Sequence, residues 1–427
     1  MGYRYYAGYS PDFVKHVISS LGLNRGTLLA DPWNGAGTTT SAAMEQGIPA
    51  WGGDVNPVMA VVSKARLLGN RATPSEESLT SHIVASLRRT GSFELTADPL
   101  RTWFTPDGAA NLRGLEKCIG TLLDPLAELG PPAAKNRVAV LSPLACFFYV
   151  ALFVTADALI GKYRASNPTW IKRPNDERGK LTPSLNRIIE LFESAVLSLR
   201  AHASATEPPA TEASNGISTK NSANATPASL PARIDVANST SIPLESGSAT
   251  ALVSSPPYCT RIDYAIATSV ELALLGFTDS QVRDIREEMF SSSTISRALP
   301  EVNLAWGPTC ASFIDAIAHH ESKASTSYYL RTHLQYFDGL SKSLVEIDRI
   351  LAPRSHCILV VQDSHYKELR NDLQKIVTEM GEAMGWEKVK RFNYLSTKHI
   401  GRVHSNSRGY RPRTSATESV LVFATSR

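Results

Sequence analysis

The stretch from Gly26 to Leu68 constrains the fold more than any other. GTLLAD (Gly26 to Asp31) reads as a buried strand, PWNGAGTTT as a turn, and Thr39 to Gln46 as a helix stopped by Gly47. IPAWGGDVNP then reads as a second strand ending at Asp54, with a further helix from Met59 to Leu68. Strand, glycine turn, helix and strand form a parallel βαβ unit, and such units bind ligands at the carboxyl ends of their strands. Upstream, Ser10 as cap and Pro11 at the first helical position open a helix that carries Phe13, Val14, Val17, Ile18 and Leu21 on one face.

Two segments carry the chemistry. In Asp31-Pro32-Trp33-Asn34-Gly35-Ala36-Gly37-Thr38-Thr39, the glycines let the backbone turn tightly and approach a ligand, while a helix start and two hydroxyls supply donors. A phosphate loop needs a Lys after its second Gly, and none is present. Asp54, at the next strand end, is placed to accept hydrogen bonds from ribose hydroxyls. The second segment is Ser255-Pro256-Pro257-Tyr258, after the strand ATALVS (Ala249 to Ser254). Consecutive prolines cannot donate to a ladder, so the strand stops and exposes a stiff tip. That tip offers a hydroxyl, prolyl carbonyls and an aromatic face, which together suit a planar ring bearing an amine.

From about Arg71 to Arg200 the periodicity is helical, with candidates at Glu76 to Arg88, Ala109 to Leu123, Val138 to Ala156 and Thr182 to Leu199. The charge-free run Val138 to Ala156 approaches the length of a bilayer span, but Pro143 inside it and Asp157 after it favour a buried helix. Ala201 to Pro231 is low in complexity and too polar to bury a core, which predicts a disordered linker. An α/β pattern then resumes: a long helix from Tyr328 to Leu351, the strand CILVVQ, a helix from Tyr366 to Met384, and the strand SVLVFA.

Composition constrains partners weakly. The formal charge is only +4, from 44 basic and 40 acidic side chains, so any nucleic-acid surface must be local. Two basic stretches qualify. One is the loop Gly161 to Pro183, where Lys162, Arg164, Lys172 and Arg173 alternate with Tyr163 and Trp170; the other is Arg391 to Arg427, with Arg402, Arg408, Arg411 and Arg413. Phosphate contact and a solvated charged loop both explain such stretches. The five cysteines are an odd number without a C-x-x-C pair, which predicts neither a disulfide framework nor a zinc site and points to a cytoplasmic setting. The first residues, MGYRYYAGYS, contain no export or lipidation signal. His319, His320 and Glu321 read as a solvated surface and not as metal ligands.

Taken together, YAGYSPDFVKHVI, the D-P-W-N-G-A-G-T-T turn and S-P-P-Y resemble the S-adenosylmethionine-dependent DNA amino-methyltransferases of the N4-cytosine and N6-adenine class. The resemblance covers roughly residues 1–70 and 232–427. It implies S-adenosyl-L-methionine as cofactor, with Asp31, Pro32, Asn34, Gly35, Gly37, Thr38 and Thr39 around its methionine part and Ser10 with Pro11 near its carboxylate. It implies Asp54 on the ribose, with Asn56 close by, and Asn238 where an acid usually meets the adenine amine. Ser255 and the Pro256 carbonyl would hold the target amine, with Pro257 stiffening the tip and Tyr258 stacking on the base. Trp33 stands where Phe is common. Ser at the first motif position tilts the expectation to cytosine N4. Arg261 and Tyr264, just after the motif, are candidates for holding the displaced strand or base.

The resulting expectation is an α/β, Rossmann-like class I methyltransferase with a mostly parallel seven-stranded sheet and an α-helical insert domain. Residues 1–70 form the cofactor half, 71–200 the insert for target recognition, 201–231 the linker and 232–427 the catalytic half. DNA is the expected partner, with N6-adenine, an RNA amine, or non-catalytic nucleic-acid binding as alternatives. No membrane is expected, and a cognate restriction or defence partner belongs to the same expectation.

Overall fold

A computed structural model describes residues 9–69, 75–89, 97–164, 170–175, 179–204, 232–259, 263–295, 299–396 and 416–426. Nine strands are present among them: β1 (Leu29–Asp31), β2 (Ala50–Asp54), β3 (Ala232–Val236), β4 (Ala249–Ser254), β5 (Leu351–Gln362), the hairpin β6 (Ser364–Tyr366) and β7 (Leu369–Asn371), β8 (Glu387–Ser396) and β9 (Ala416–Ala424). Seven of them form one sheet in the order β3-β2-β1-β4-β5-β9-β8, and the hairpin stands apart. All neighbours are parallel except β9, which runs against both β5 and β8. The fold is thus α/β with a mostly parallel sheet, compatible with a Rossmann-like architecture.

Alternate residues along the strands face different cores, as the two-residue strand period requires. Leu29, Ala251, Val253, Ile358, Val360 and Val420 join one cluster; Ala30, Leu252, Cys357, Leu359, Val361 and Leu421 join the other. Burial on both faces explains why ALVS and ILVV read as nearly continuous apolar runs. The first cluster is covered by α1 (Pro11–Ser20), α2 (Thr38–Glu45) and α3 (Pro57–Arg66). The helical middle packs onto the same cluster: α4 (Ser75–Arg89), α5 (Pro106–Leu123), α6 (Lys135–Val140), α7 (Pro143–Leu159) and α8 (Leu185–Ser204), followed by α9 (Tyr264–Ala267), α10 (Ser269–Leu274) and α11 (Asp279–Glu288). The second cluster is covered by α12 (Gly307–Ala318), α13 (Leu330–Ile350) and α14 (Leu373–Ala383).

Among the described residues, the helical middle has no core of its own. α7 is apolar nearly all round and lies against α3, α5, α8 and α10. Buried Arg113 of α5 ties this region to the later chain: it pairs with Asp98 (2.8 Å) and Glu116 (3.1 Å) and donates to the carbonyls of Leu274 (2.6 Å) and Ala273 (2.8 Å) at the end of α10. Among the described residues, no helix is long and apolar enough to cross a membrane.

Three sequence expectations change. The helix expected from Val138 to Ala156 is two helices, because Pro143 cannot donate to a preceding turn and Ser142 caps a new start by accepting from Ala145 N (3.1 Å). The helix expected from Tyr366 begins only at Leu373, after the β6–β7 hairpin, where Asp372 caps it. α8 runs on to Ser204, past the expected linker boundary at 201, while residues 205–231 lie outside the described residues.

Candidate active site

The carboxyl ends of β1, β2 and β4 meet at an open cleft with about 930 Å³ of empty space, counting its mouth. Chain order reverses at β1, stepping to β2 and β3 on one side and to β4 and β5 on the other. Open α/β sheets bind ligands at such reversal points.

The turn after β1 forms one wall. Gly35 and Gly37 adopt φ of 48° and 83°, where a Cβ is unfavourable. At Gly37 a Cβ would also approach Ser63 Cβ to 2.7 Å, so the turn is pressed against α3. The Asn34 amide is committed to the protein: Nδ2 donates to Ser63 Oγ (2.9 Å), and Oδ1 accepts from Thr40 Oγ1 (3.1 Å). α2 starts at Thr38 without a side-chain cap, so its first amides remain available to an anion beside Ala36 and Thr38 in the cleft wall.

Two carboxyls stand at adjacent strand ends. Buried Asp31 accepts from Ser254 Oγ (2.5 Å) and Trp33 N (3.2 Å) through Oδ1, and Tyr9 Oη lies 3.2 Å from its Oδ2. Tyr9 Oη also reaches Thr39 Oγ1 (2.5 Å), so residues from β1, β4, α2 and the segment before α1 share one polar network. Burial pushes the Asp31 carboxyl up to about 6 despite the hydrogen bonds from Ser254, Thr39, Trp33 and Tyr9. Half-buried Asp54 accepts from Gly35 N (3.0 Å) and Asn56 N (2.8 Å), one on each oxygen, which leaves each oxygen a further lone pair. Its desolvation, with the Asp31 charge nearby, pushes it up to about 6 as well.

S-P-P-Y forms the facing wall. Ser255 Oγ donates to the Val360 carbonyl of β5 (2.8 Å), so toward the cleft it can only accept. The Pro257 carbonyl is held by Tyr336 Oη of α13 (2.9 Å), whereas no donor among the described residues meets the Pro256 carbonyl. Half-buried Tyr258 is pushed up to about 12, by burial and then by Glu418, and remains a neutral phenol. Trp33, Ser239 and Phe290 also line the cleft: Trp33 packs edge-on to Phe290, Phe290 to Tyr336 behind it, and the Trp33 indole N–H donates to Ser239 Oγ (2.9 Å). A Phe at position 33 would lack that last bond.

The cleft brings together Asp31, Pro32, Asn34, Gly35, Thr38, Asp54, Asn56, Asn238, Ser255, Pro256, Pro257, Tyr258 and Tyr264. Other expected residues sit elsewhere. Ser10 caps α1 by accepting from Phe13 N (3.2 Å), and it and Pro11 are exposed outside the cleft wall; their neighbour Tyr9 is the one that reaches in. Gly37 and Thr39 lie behind the wall. Asn238 lines the cleft, but its amide oxygen already accepts from Thr240 N and Oγ1 (3.0 Å each), so it does not suit an adenine amine. Asn56 is mainly a cap, accepting from Val58 N (3.1 Å) and donating to Thr268 Oγ1 (3.0 Å).

Of the basic candidates, Arg261, Arg402, Arg408, Arg411 and Arg413 lie outside the described residues. Lys162, Arg164, Trp170, Lys172 and Arg173 are not in the cleft wall. Arg164 pairs with Asp157, and Arg173 makes a two-pronged pair with Asp279 (2.7 and 3.0 Å), so both already meet carboxylates. Lys162 lies over the Tyr163 ring, while Trp170 and Lys172 are exposed. His320 is not simply solvated: its ring packs on Tyr366 and bonds to Glu368 (2.9 Å). Sequence reasoning missed Ser254, Ser239, Phe290 and Tyr336. Ser254 could have been found as the strand residue directly before the motif; Tyr336 carries no local signal.

No family model matches the chain, and no curated protein is recognisably related to it in sequence.

Proposed function

We propose that the protein is an S-adenosylmethionine-dependent methyltransferase acting on an exocyclic amine of DNA, the N4 amine of cytosine. The observation that carries this reading is the meeting, at adjacent parallel strand ends, of the glycine turn and S-P-P-Y, bridged by the Asp31–Ser254 bond.

The residues present fit such a cofactor. The lone pairs left on Asp54 suit ribose hydroxyls, and the uncapped start of α2 suits the methionine carboxylate. Buried Asp31 suits the cationic end of the same molecule. The cofactor, when bound, supplies an electrophilic methyl group on a sulfonium.

The chain's own part is to prepare the amine. Ser255 Oγ and the Pro256 carbonyl are two acceptors for its two hydrogens. Holding both opposes delocalisation of the lone pair into the ring and leaves it available as nucleophile. Tyr258, neutral and next to them, stacks on the base. No covalent enzyme intermediate is needed. Cys259 follows the motif without the Pro-Cys setting that carbon-5 methylation uses.

DNA contact is supported by the ends of β8 and β9. Ser396 pairs with Ala416 at the same sheet edge as S-P-P-Y, so the basic stretch between them starts and finishes there. The test is incubation with tritiated S-adenosylmethionine and duplex DNA of mixed sequence. The account expects label in DNA that is lost in Ser255→Ala; unlabelled DNA, or label undiminished in the variant, would overturn it.

A further inference from the structure

Ser255 and the two prolines of the facing wall offer a target base acceptors only. Ser255 uses its proton on Val360, and a prolyl residue has no N–H. Cytosine and adenine both carry, beside the amine, a ring nitrogen that accepts. A desolvated pocket that satisfied the amine alone would leave that nitrogen unpaired, so the pocket needs a donor on its far side.

The sheet brings one close, on residues next to the cleft but outside its lining. Gln362 is two residues beyond Val360 on β5, so it points to the same side as Val360 and Ile358. Ser254 pairs with Leu359, which sets Ser255 beside Val360. With strands about 4.8 Å apart and a rise of about 3.4 Å per residue, the Gln362 backbone lies roughly 8 Å from that of Ser255. Glu418 of β9 is the direct partner of Gln362 across an uninterrupted antiparallel ladder and shares its face with Val420. Glu418 is close enough to Tyr258 for its charge to hold the phenol up. Both side chains are half-buried, and among the described residues neither has a hydrogen-bond or ion-pair partner.

We propose that Gln362 and Glu418 form the far wall of the target-base pocket, with Gln362 donating to the ring nitrogen beside the amine and Glu418 orienting that amide. The inference rests on the amine-methylation reading and gives its site a reason to refuse guanine. On guanine the ring position beside the amine on the pairing edge is an N–H, which would meet a donor with a donor. Cytosine and adenine fit; guanine does not. With a base bound, Glu418, the cross-strand neighbour of Gln362, would accept one N–H of its amide, so that the other N–H faces the base in place of the carbonyl.

The probe is a single-stranded random-sequence DNA pool in which every cytosine is either deoxycytidine or 3-deazadeoxycytidine, which lacks the ring nitrogen. Binding is measured by anisotropy with sinefungin present, so no turnover is needed. Wild type is expected to bind the deaza pool about 10-fold more weakly, the worth of one buried hydrogen bond. Gln362→Ala is expected to bind both pools equally, at the weaker level. Should that variant fail to fold by circular dichroism, Gln362→Glu keeps the shape and replaces the donor with an acceptor.

Equal binding of both pools by wild type, or a preference retained in Gln362→Ala, overturns the inference. Label transfer from tritiated S-adenosylmethionine to ordinary duplex DNA by wild type is measured in parallel. Transfer present with no preference sinks the pocket wall alone; transfer absent together with no cofactor binding sinks the methylation reading, and the pocket wall with it.

Discussion

Asp31→Asn should stabilise the cofactor-free protein at neutral pH while weakening its hold on a cationic ligand. An ordinary aspartate ionises near 3.8, whereas burial at the end of β1 pushes Asp31 up to about 6. The folded chain therefore holds this proton more tightly than the unfolded chain. The stability that Asp31 contributes is fully present below about pH 3.8 and is lost as pH rises through about 6. A shift of about two pH units corresponds to about 3 kcal/mol. Asn cannot ionise, and its carbonyl can still accept from Ser254 and from Trp33 N. Urea unfolding from pH 4 to 8, followed by tryptophan fluorescence, should show an advantage of the variant of only about 0.5 kcal/mol at pH 4 and up to about 3 kcal/mol at pH 7. Asp54 contributes a fall of the same sign in both proteins, smaller in the variant because the Asp31 charge that helps raise it is gone, and this adds to the variant's advantage at pH 7. Two curves that stay parallel across this range would refute the assignment of a burial-raised carboxyl at the floor of the cleft.

Other perturbations test separate parts of the account. Arg113→Met leaves Asp98 and Glu116 buried without their cation and should cost about 3–5 kcal/mol in urea unfolding; a loss below about 1 would mean the helical middle is not pinned to α10. Gly37→Ala combines a left-handed backbone with a 2.7 Å approach to Ser63 and should cost about 2–5 kcal/mol, measured the same way. Tyr336→Phe keeps the ring against Phe290 but frees the Pro257 carbonyl, so it should cost about 1 kcal/mol and lower kcat, with cofactor affinity by calorimetry unchanged.

The parts of the fold that local rules govern were legible in the sequence. β1, β2 and β4 stood out as apolar runs ended by Asp31, Asp54 and the proline pair, and their tips are where the cleft lies. β3 and β8 were not. ARIDV is short and half polar, and EKVKRFNYLS is an exposed edge strand whose basic residues masked its alternation. The same distinction holds at the site. Residues in contiguous motifs reach the cleft together, whereas Tyr336 comes from another helix and is recognisable only once α13 packs behind Pro257. Asn238 shows the opposite error: its position in the chain suggested an adenine contact, but Thr240, two residues on, takes its carbonyl first. The helical middle looked like a separate insert because its periodicity differs from its flanks. Periodicity does not reveal that α7 shares its core with α3 and α10.

The most direct test of the central claim is nucleoside mass analysis of DNA from cells carrying either the wild-type protein or Ser255→Ala. The account predicts N4-methylcytosine with the wild type and none with the variant. DNA free of methylated amines in both, or N4-methylcytosine persisting in Ser255→Ala, would contradict it.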